Sequence, residues 1–314
     1  MAGEGGGEEP VRAAAVRGEV VVRRILVGLD GSRPSLGALE VAVELAALLE
    51  AELEGLFVEE EAWHRVTALG STGVIGGYTG AVRSLGAGEL SRELRAAARR
   101  LSRRLERASR RLAREASFRV ERGRAEAVLL AAAAEADLIT VGCVGLSPGR
   151  AGRLGRTARA LAERTETPIL FLTGGETARL GRRVVAIGNG GSGAGSSEEG
   201  SGEGEWGPEA EGERGAEAEG AALALALAGE LARRREVDLE VVAVDAPGSG
   251  EDEAGRAAEG SELHLVPELT ADAVDRVIGP TRDVVLVVSR HSALLRAHSL
   301  EALIRDLRVP VLLV

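Results

Sequence analysis

No lysine occurs anywhere in the 314 residues, so the basic side chains are arginines and four histidines. A Walker A loop needs a lysine to reach the terminal phosphates of a nucleotide, and that requirement excludes a P-loop NTPase. A single cysteine, Cys143, excludes an internal disulfide and a cysteine-built zinc site. His64, His264, His291 and His298 are scattered without ligand spacing, and no metal site is expected. Aromatic residues make up 2% of the chain, which leaves Ala, Val, Leu and Ile to build the cores. No apolar run reaches the roughly 18 to 20 residues of a membrane helix, and the N-terminus lacks a signal peptide's hydrophobic core. A cytoplasmic protein with no membrane partner is the expectation.

What is present is enough chain for two domains of ordinary size. The formal charge of −10 is unevenly spread: residues 191–220 hold nine Glu and one Arg, and the remainder is close to neutral. This Gly/Ser/Glu stretch has too little apolar surface to offset the entropy of ordering it, so disorder is expected over 191–220 and in the tail 1–20. Trp206 within it reads as incidental rather than as a docking anchor.

Hydrophobic periodicity organises the rest. "RRILVGLDG" (23–31) reads as a strand ending in a turn, and "SLGALEVAVELAALLEAEL" after it as a helix. "ELEGLFV" (52–58) is a second strand. A glycine-rich stretch, 68–88, is expected to be a long loop or lid. From 89 to 115 the apolar positions advance by three or four, predicting one long amphipathic helix whose other face is arginine. Strand "SFRVE", helix "RAEAVLLAAAAEA", strand "DLITVG", helix "RTARALAERT" and strand "PILFLT" complete a βαβαβαβαβ series. The pattern then restarts: "RRVVAIGNG" (182–190) echoes 23–31, and the C-terminal "RVPVLLV" echoes "ETPILFLT". The predicted architecture is α/β, with two tandem open parallel five-stranded sheets of order 3-2-1-4-5 and helices on both faces. The domains are 21–175 and 176–314, the second shortened and degenerate.

With that order the strands reverse between the first and the fourth, where open α/β sheets bind ligands beyond their carboxyl ends. Asp30 ends the first strand and Gly142 the fourth. The loop "VGCVGLSPGRAGRLGRT" (141–157) holds five glycines and three arginines and leads straight into a helix. Glycines let main-chain amides approach an anion, and a helix start adds unpaired donors and a dipole end. Arg150, Arg153 and Arg156 can add charge-assisted hydrogen bonds of roughly 1.5 to 3 kcal/mol each. The plainer alternative is a flexible connection, with Asp-Gly-Ser serving only as an Asx turn and helix cap.

The spacing Gly142, two residues, Gly145, nine residues, Gly155 resembles the universal stress protein family, specifically its nucleotide-binding branch. That resemblance runs over residues 21–173. It implies that Asp30, with Gly31 and Ser32 in its turn, holds ribose hydroxyls. The backbone at Val58 would read the adenine edge, Val141 and Gly142 would line the nucleoside, and phosphates would rest on Gly145, Gly155, Arg156 and Thr157. Arg156 stands where the family has a hydroxyl, with Thr157 one residue later. The implied ligand is ATP, AMP or another adenine nucleotide, with Mg2+ left open. The implied role is a stress-response regulator; a non-binding scaffold of the same fold is the alternative.

The second repeat carries Asn189 in place of Asp30 and no glycine between its fourth and fifth strands, so it reads as a structural partner. Pairing of the fifth strands within one chain would make an intrachain pseudo-dimer and cover apolar edges, with a further homodimer left open. Cys143 reads as a buried small residue. The arginine helix lacks aromatics for base stacking and reads as a solvated face, with no nucleic-acid partner. No base, metal and attacking water are placed together, so no catalytic residues are assigned and slow ATP hydrolysis stays open.

Overall fold

The computed structural model describes residues 20–62, 73–75, 82–84, 87–143, 154–173, 178–188, 208–244 and 261–314. In the first half, β1 (Arg24–Leu29) leads into α1 (Arg33–Leu49), then β2 (Glu52–Glu60). Two short strands, β3 (Gly73–Ile75) and β4 (Val82–Ser84), follow, then α2 (Ala87–Ala108), β5 (Ala116–Gly123) and α3 (Ala125–Ala133). The half closes with β6 (Leu138–Gly142), α4 (Arg156–Arg164) and β7 (Ile169–Leu172). The second half comprises β8 (Arg183–Ile187), α5 (Pro208–Arg235), β9 (Leu239–Val244), β10 (Glu262–Val266), α6 (Ala271–Ile278), β11 (Val284–Val288), α7 (Ala293–Ala297), α8 (Leu300–Leu307) and β12 (Val311–Leu313).

The strands form one continuous ten-stranded sheet in the order β10-β9-β8-β11-β12-β7-β6-β1-β2-β5. Within each half the order is 3-2-1-4-5 and all pairings are parallel. The halves meet where β7 and β12 pair antiparallel, with Val311 opposite Phe171 and Leu313 opposite Ile169. Each half keeps the expected five-stranded order, and the expected pairing of the fifth strands joins the two into one sheet: both strands are apolar and fully buried, and each satisfies the other's open ladder.

Helices cover both faces. One core joins α1, α2 and α5 to the sheet, and the other joins α3, α4, α6, α7 and α8. No helix among the described residues is long and apolar enough to cross a membrane.

Three expectations change. The stretch read as a loop contains β3 and β4, paired antiparallel, and α2 begins at its end. The helix predicted over 89–115 stops at Ala108, tightens into a 3-10 turn at Ser109–Arg111, and goes extended at Leu112 to reach β5. The stretch expected to be disordered over 191–220 is helical from Pro208. Its alternating Ala and Glu favour helix, and glutamates at a helix start suit the dipole there. The tail before residue 20, residues 189–207 with Asn189 and Trp206, and His64 lie outside the described residues.

Candidate functional site

The reversal of strand order falls between β1 and β6, which pair directly while β2 lies on the other side of β1. Leu29 is the last β1 residue paired with β2, opposite Phe57, so Asp30 and Val58 stand level one step further on. Val27 pairs with Thr140, which places Gly142 and Cys143 at the same rim of the sheet.

At that rim the chain turns tightly. Oδ1 of Asp30 accepts from the Ser32 N–H at 2.8 Å, and Ser32 Oγ accepts from the Ser35 N–H at 3.2 Å, capping α1. Gly31 between them has φ +79°, a conformation that side chains resist. The Asx turn and cap named as the plainer alternative are thus present. They consume one carboxylate oxygen: Asp30 is exposed, and its Oδ2 has no partner among the described residues.

Gly142 serves packing first. A Cβ there would lie 2.6 Å from the carbonyl carbon of Pro34 and 2.8 Å from the Ser35 nitrogen, so only glycine lets β6 end against the start of α1. Val141 is buried and Val58 half-buried on the α3 side of the sheet, so what they offer a ligand is main chain and an apolar wall.

The loop between Cys143 and Gly155 is closed at its base by the Gly155 N–H, which donates to the Cys143 carbonyl at 2.7 Å. Residues 144–153, including Gly145, Arg150 and Arg153, lie outside the described residues. Gly155 is the N-cap of α4, with no side chain capping the helix, and Arg159 is the first residue whose N–H returns to the Gly155 carbonyl. Among the described residues the amides of Arg156, Thr157 and Ala158 have no acceptor, and they stand at the positive end of the helix dipole.

Arg156 contacts two carboxylates of the protein. Its Nε contacts Glu126 Oε1, and its Nη2 lies 3.9 Å from Glu60 Oε1. Glu126 also holds Arg124 at 3.2 Å, and Glu60 caps α3 by accepting from the Ala125 N–H at 3.1 Å. Glu126 carries a sequence signal as an acidic residue in a first helical turn, whereas Glu60 reaches α3 only through the sheet register. Beside them, Cys143 is buried, and burial pushes its thiol up to about 12, which makes it inert at neutral pH.

The second half has no such crevice in its described residues. Ser289 occupies the register position of Gly142, and Arg290 follows it. Arg290 reaches across the seam, donating from Nη1 to the Ala162 carbonyl at 2.6 Å and from Nη2 to the Thr167 carbonyl at 3.1 Å. Burial pushes its pKa down to about 10, opposed by Glu166, and it remains cationic at neutral pH. Arg159 and Glu301 add a second bridge at 2.5 Å.

Glu240, Glu262 and His264 gather within ligand distance of one another. A guanidinium already fills that place: Arg183 grips both oxygens of Glu240 at 2.6 Å, and His264 Nε2 lies 3.1 Å from Oε2. Burial works against the Glu240 charge, but the hydrogen bonds from Arg183, then its charge, then His264, hold the carboxyl below its ordinary range.

Residues 22–172 match the Universal stress protein family. No curated protein matches the sequence. Among solved structures, a universal stress protein from Archaeoglobus fulgidus is 16% identical with a TM-score of 0.59, covering 92% of this chain and 97% of its own. A protein of unknown function from Pseudomonas aeruginosa is 18% identical with a TM-score of 0.52, covering 93% of this chain and 92% of its own. The first half is thus similar to universal stress proteins in sequence, and nearly the whole chain shares their fold.

Proposed function

We propose that the first half, residues 21–175, binds an adenine nucleotide at the carboxyl rim of β1 and β6, as a cytoplasmic stress-response regulator. The second half, 176–314, is a degenerate partner completing an intrachain pseudo-dimer. What carries the reading is one juxtaposition. An exposed carboxylate with a free oxygen, Asp30, stands level with Val58, and the uncapped start of α4 is held to the same rim by the bond from Gly155 to Cys143. Asp30 suits a ribose diol, the main chain near Val58 and Gly142 suits a base, and the α4 amides suit phosphate. These residues fit a nucleoside phosphate without lysine or metal ligands. Glu60 and Glu126 compete with phosphate for Arg156, so phosphate binding rests on amides more than on that side chain.

The second reading, a scaffold with a vestigial loop, is favoured by the same contacts of Asp30 and Arg156 within the protein. Denaturing the purified protein and chromatographing the released small molecules separates the two. Adenine nucleotide close to one per chain supports binding; its absence, with no calorimetric response to ATP, AMP or cyclic AMP, leaves the scaffold.

A further inference from the structure

Most arginines of helix α2 have no carboxylate partner among the described residues, Arg104 with Glu40 being an exception. Residues 87–114 hold ten Arg against three Glu. Arg95, Arg99, Arg103 and Arg107 advance by four along α2, Arg110 follows in the 3-10 turn that continues it, and all five are exposed. None has a hydrogen bond or ion pair among the described residues. Elsewhere arginines find carboxylates, as Arg119 does with Glu54, Arg183 with Glu240 and Arg234 with Glu230. Like charges at this spacing weaken a helix, so the stripe is kept at a cost. Beside it a groove of about 550 Å³ is lined by Glu40, Arg100, Arg103, Arg104, Arg107 and Ala108.

The complementary charge is in the same chain. Helix α5 becomes buried only from Ala221; Ala216, Ala218 and Glu219 before it are exposed. Its first thirteen residues, 208–220, contain five Glu and one Arg. At 1.5 Å per residue this is an acidic arm of roughly 20 Å. Four further Glu, at 198, 199, 203 and 205, precede it.

Among the described residues, arm and stripe belong to helices that pack on different strands. The buried part of α5 lies on β8 and β11, while α2 lies on β2 and β5. From β11 to β2 is five strand spacings, about 24 Å. The C-terminal end of α5 is tied to that of α1, with Arg234 donating to the Leu48 carbonyl at 3.3 Å, and the acidic arm is at the opposite end of this 28-residue helix. We propose that the acidic arm of one molecule docks on the arginine stripe of a second copy, a head-to-tail contact steered by charge. Six aromatic residues in the whole chain, none of them on α2, leave a nucleic-acid partner without stacking platforms.

Two variants of the full chain test this by sedimentation velocity. One carries Arg95→Gln, Arg99→Gln, Arg103→Gln, Arg107→Gln and Arg110→Gln; the other replaces the nine glutamates of 198–219 by Gln. Wild type is expected to associate with rising concentration at low salt, with affinity about tenfold or more weaker at about 0.5 M salt, where screening is within a few ångströms. Each variant alone should stay monomeric, and a mixture of the two should form a one-to-one complex, because one retains the arm and the other the stripe. Monomeric wild type at low salt, association unchanged in both variants, or failure of the mixture to pair would overturn the proposal. So would loss of single-stranded oligonucleotide binding in the arginine variant without any self-association, an outcome that would reassign the stripe to nucleic acid.

Discussion

Two glycines of one loop separate structure from function. Gly142 has Pro34 and Ser35 where a Cβ would be, so Gly142→Val should destabilise the fold by about 1–3 kcal/mol, read from denaturant midpoints. Gly155 has φ −60° and ψ 157°, a conformation open to any residue. Gly155→Val should therefore leave stability within about 0.5 kcal/mol of wild type while removing bound nucleotide, because its side chain would stand before the amides of α4. Stable protein that keeps its nucleotide would refute the loop assignment. Arg156 supplies a third case: Glu126→Gln should tighten nucleotide binding about two- to fivefold in titration calorimetry, by releasing a largely exposed cation for phosphate.

At the scale of elements the halves solve one packing problem in opposite ways. In the first, glycine is on the strand side, Gly142, against Ser35 of α1; in the second it is on the helix, Gly220 of α5, against Ser289. A Cβ on Gly220 would lie 2.5 Å from Ser289 Oγ, which accepts from the His291 N–H at 3.2 Å. In an exposed helix Gly→Ala gains about 1 kcal/mol, but Gly220→Ala should instead cost about 1–2 kcal/mol, with Ser289→Gly restoring most of the loss. Independent effects in that double-mutant cycle would show that the contact does not limit stability. The strand series was legible in the sequence because "RILVGL", "LITVG" and "ILFL" are apolar runs bounded by turn residues, whereas nothing in those runs sets their order in the sheet. The fusion of the sheets was legible too, because the apolar fifth strands announced the edge-to-edge pairing that joins the halves. Arg290 and Glu60 were invisible, since nothing local marks a side chain whose partners stand on another element. The start of α5 was missed because disorder was weighed by apolar content alone, while Ala and Glu also build helices.

The whole molecule keeps its charge at the borders and its apolar strands in the middle. The outer strands β5 and β10 carry Arg119, Glu121, Arg122, Glu262 and His264, whereas β7 and β12 at the seam are buried throughout. Near one border, Glu240 has its carboxyl held below the ordinary value. The stabilisation this gives is present above the unfolded-state value and lost as pH falls through the lower folded one. Glu240→Gln should lower stability at neutral pH by about 1–3 kcal/mol and flatten the decline below about pH 4.5. An unchanged acid limb in a pH series of urea melts would place the sensitivity elsewhere.

The pairing of Leu170 with Leu312 has a thermodynamic corollary. Because a fully buried ladder is shared by the chain's two halves, neither can melt without stripping a neighbour's backbone bonds. Heating should produce a single calorimetric peak whose van't Hoff and measured enthalpies agree, where independently folded repeats would give two.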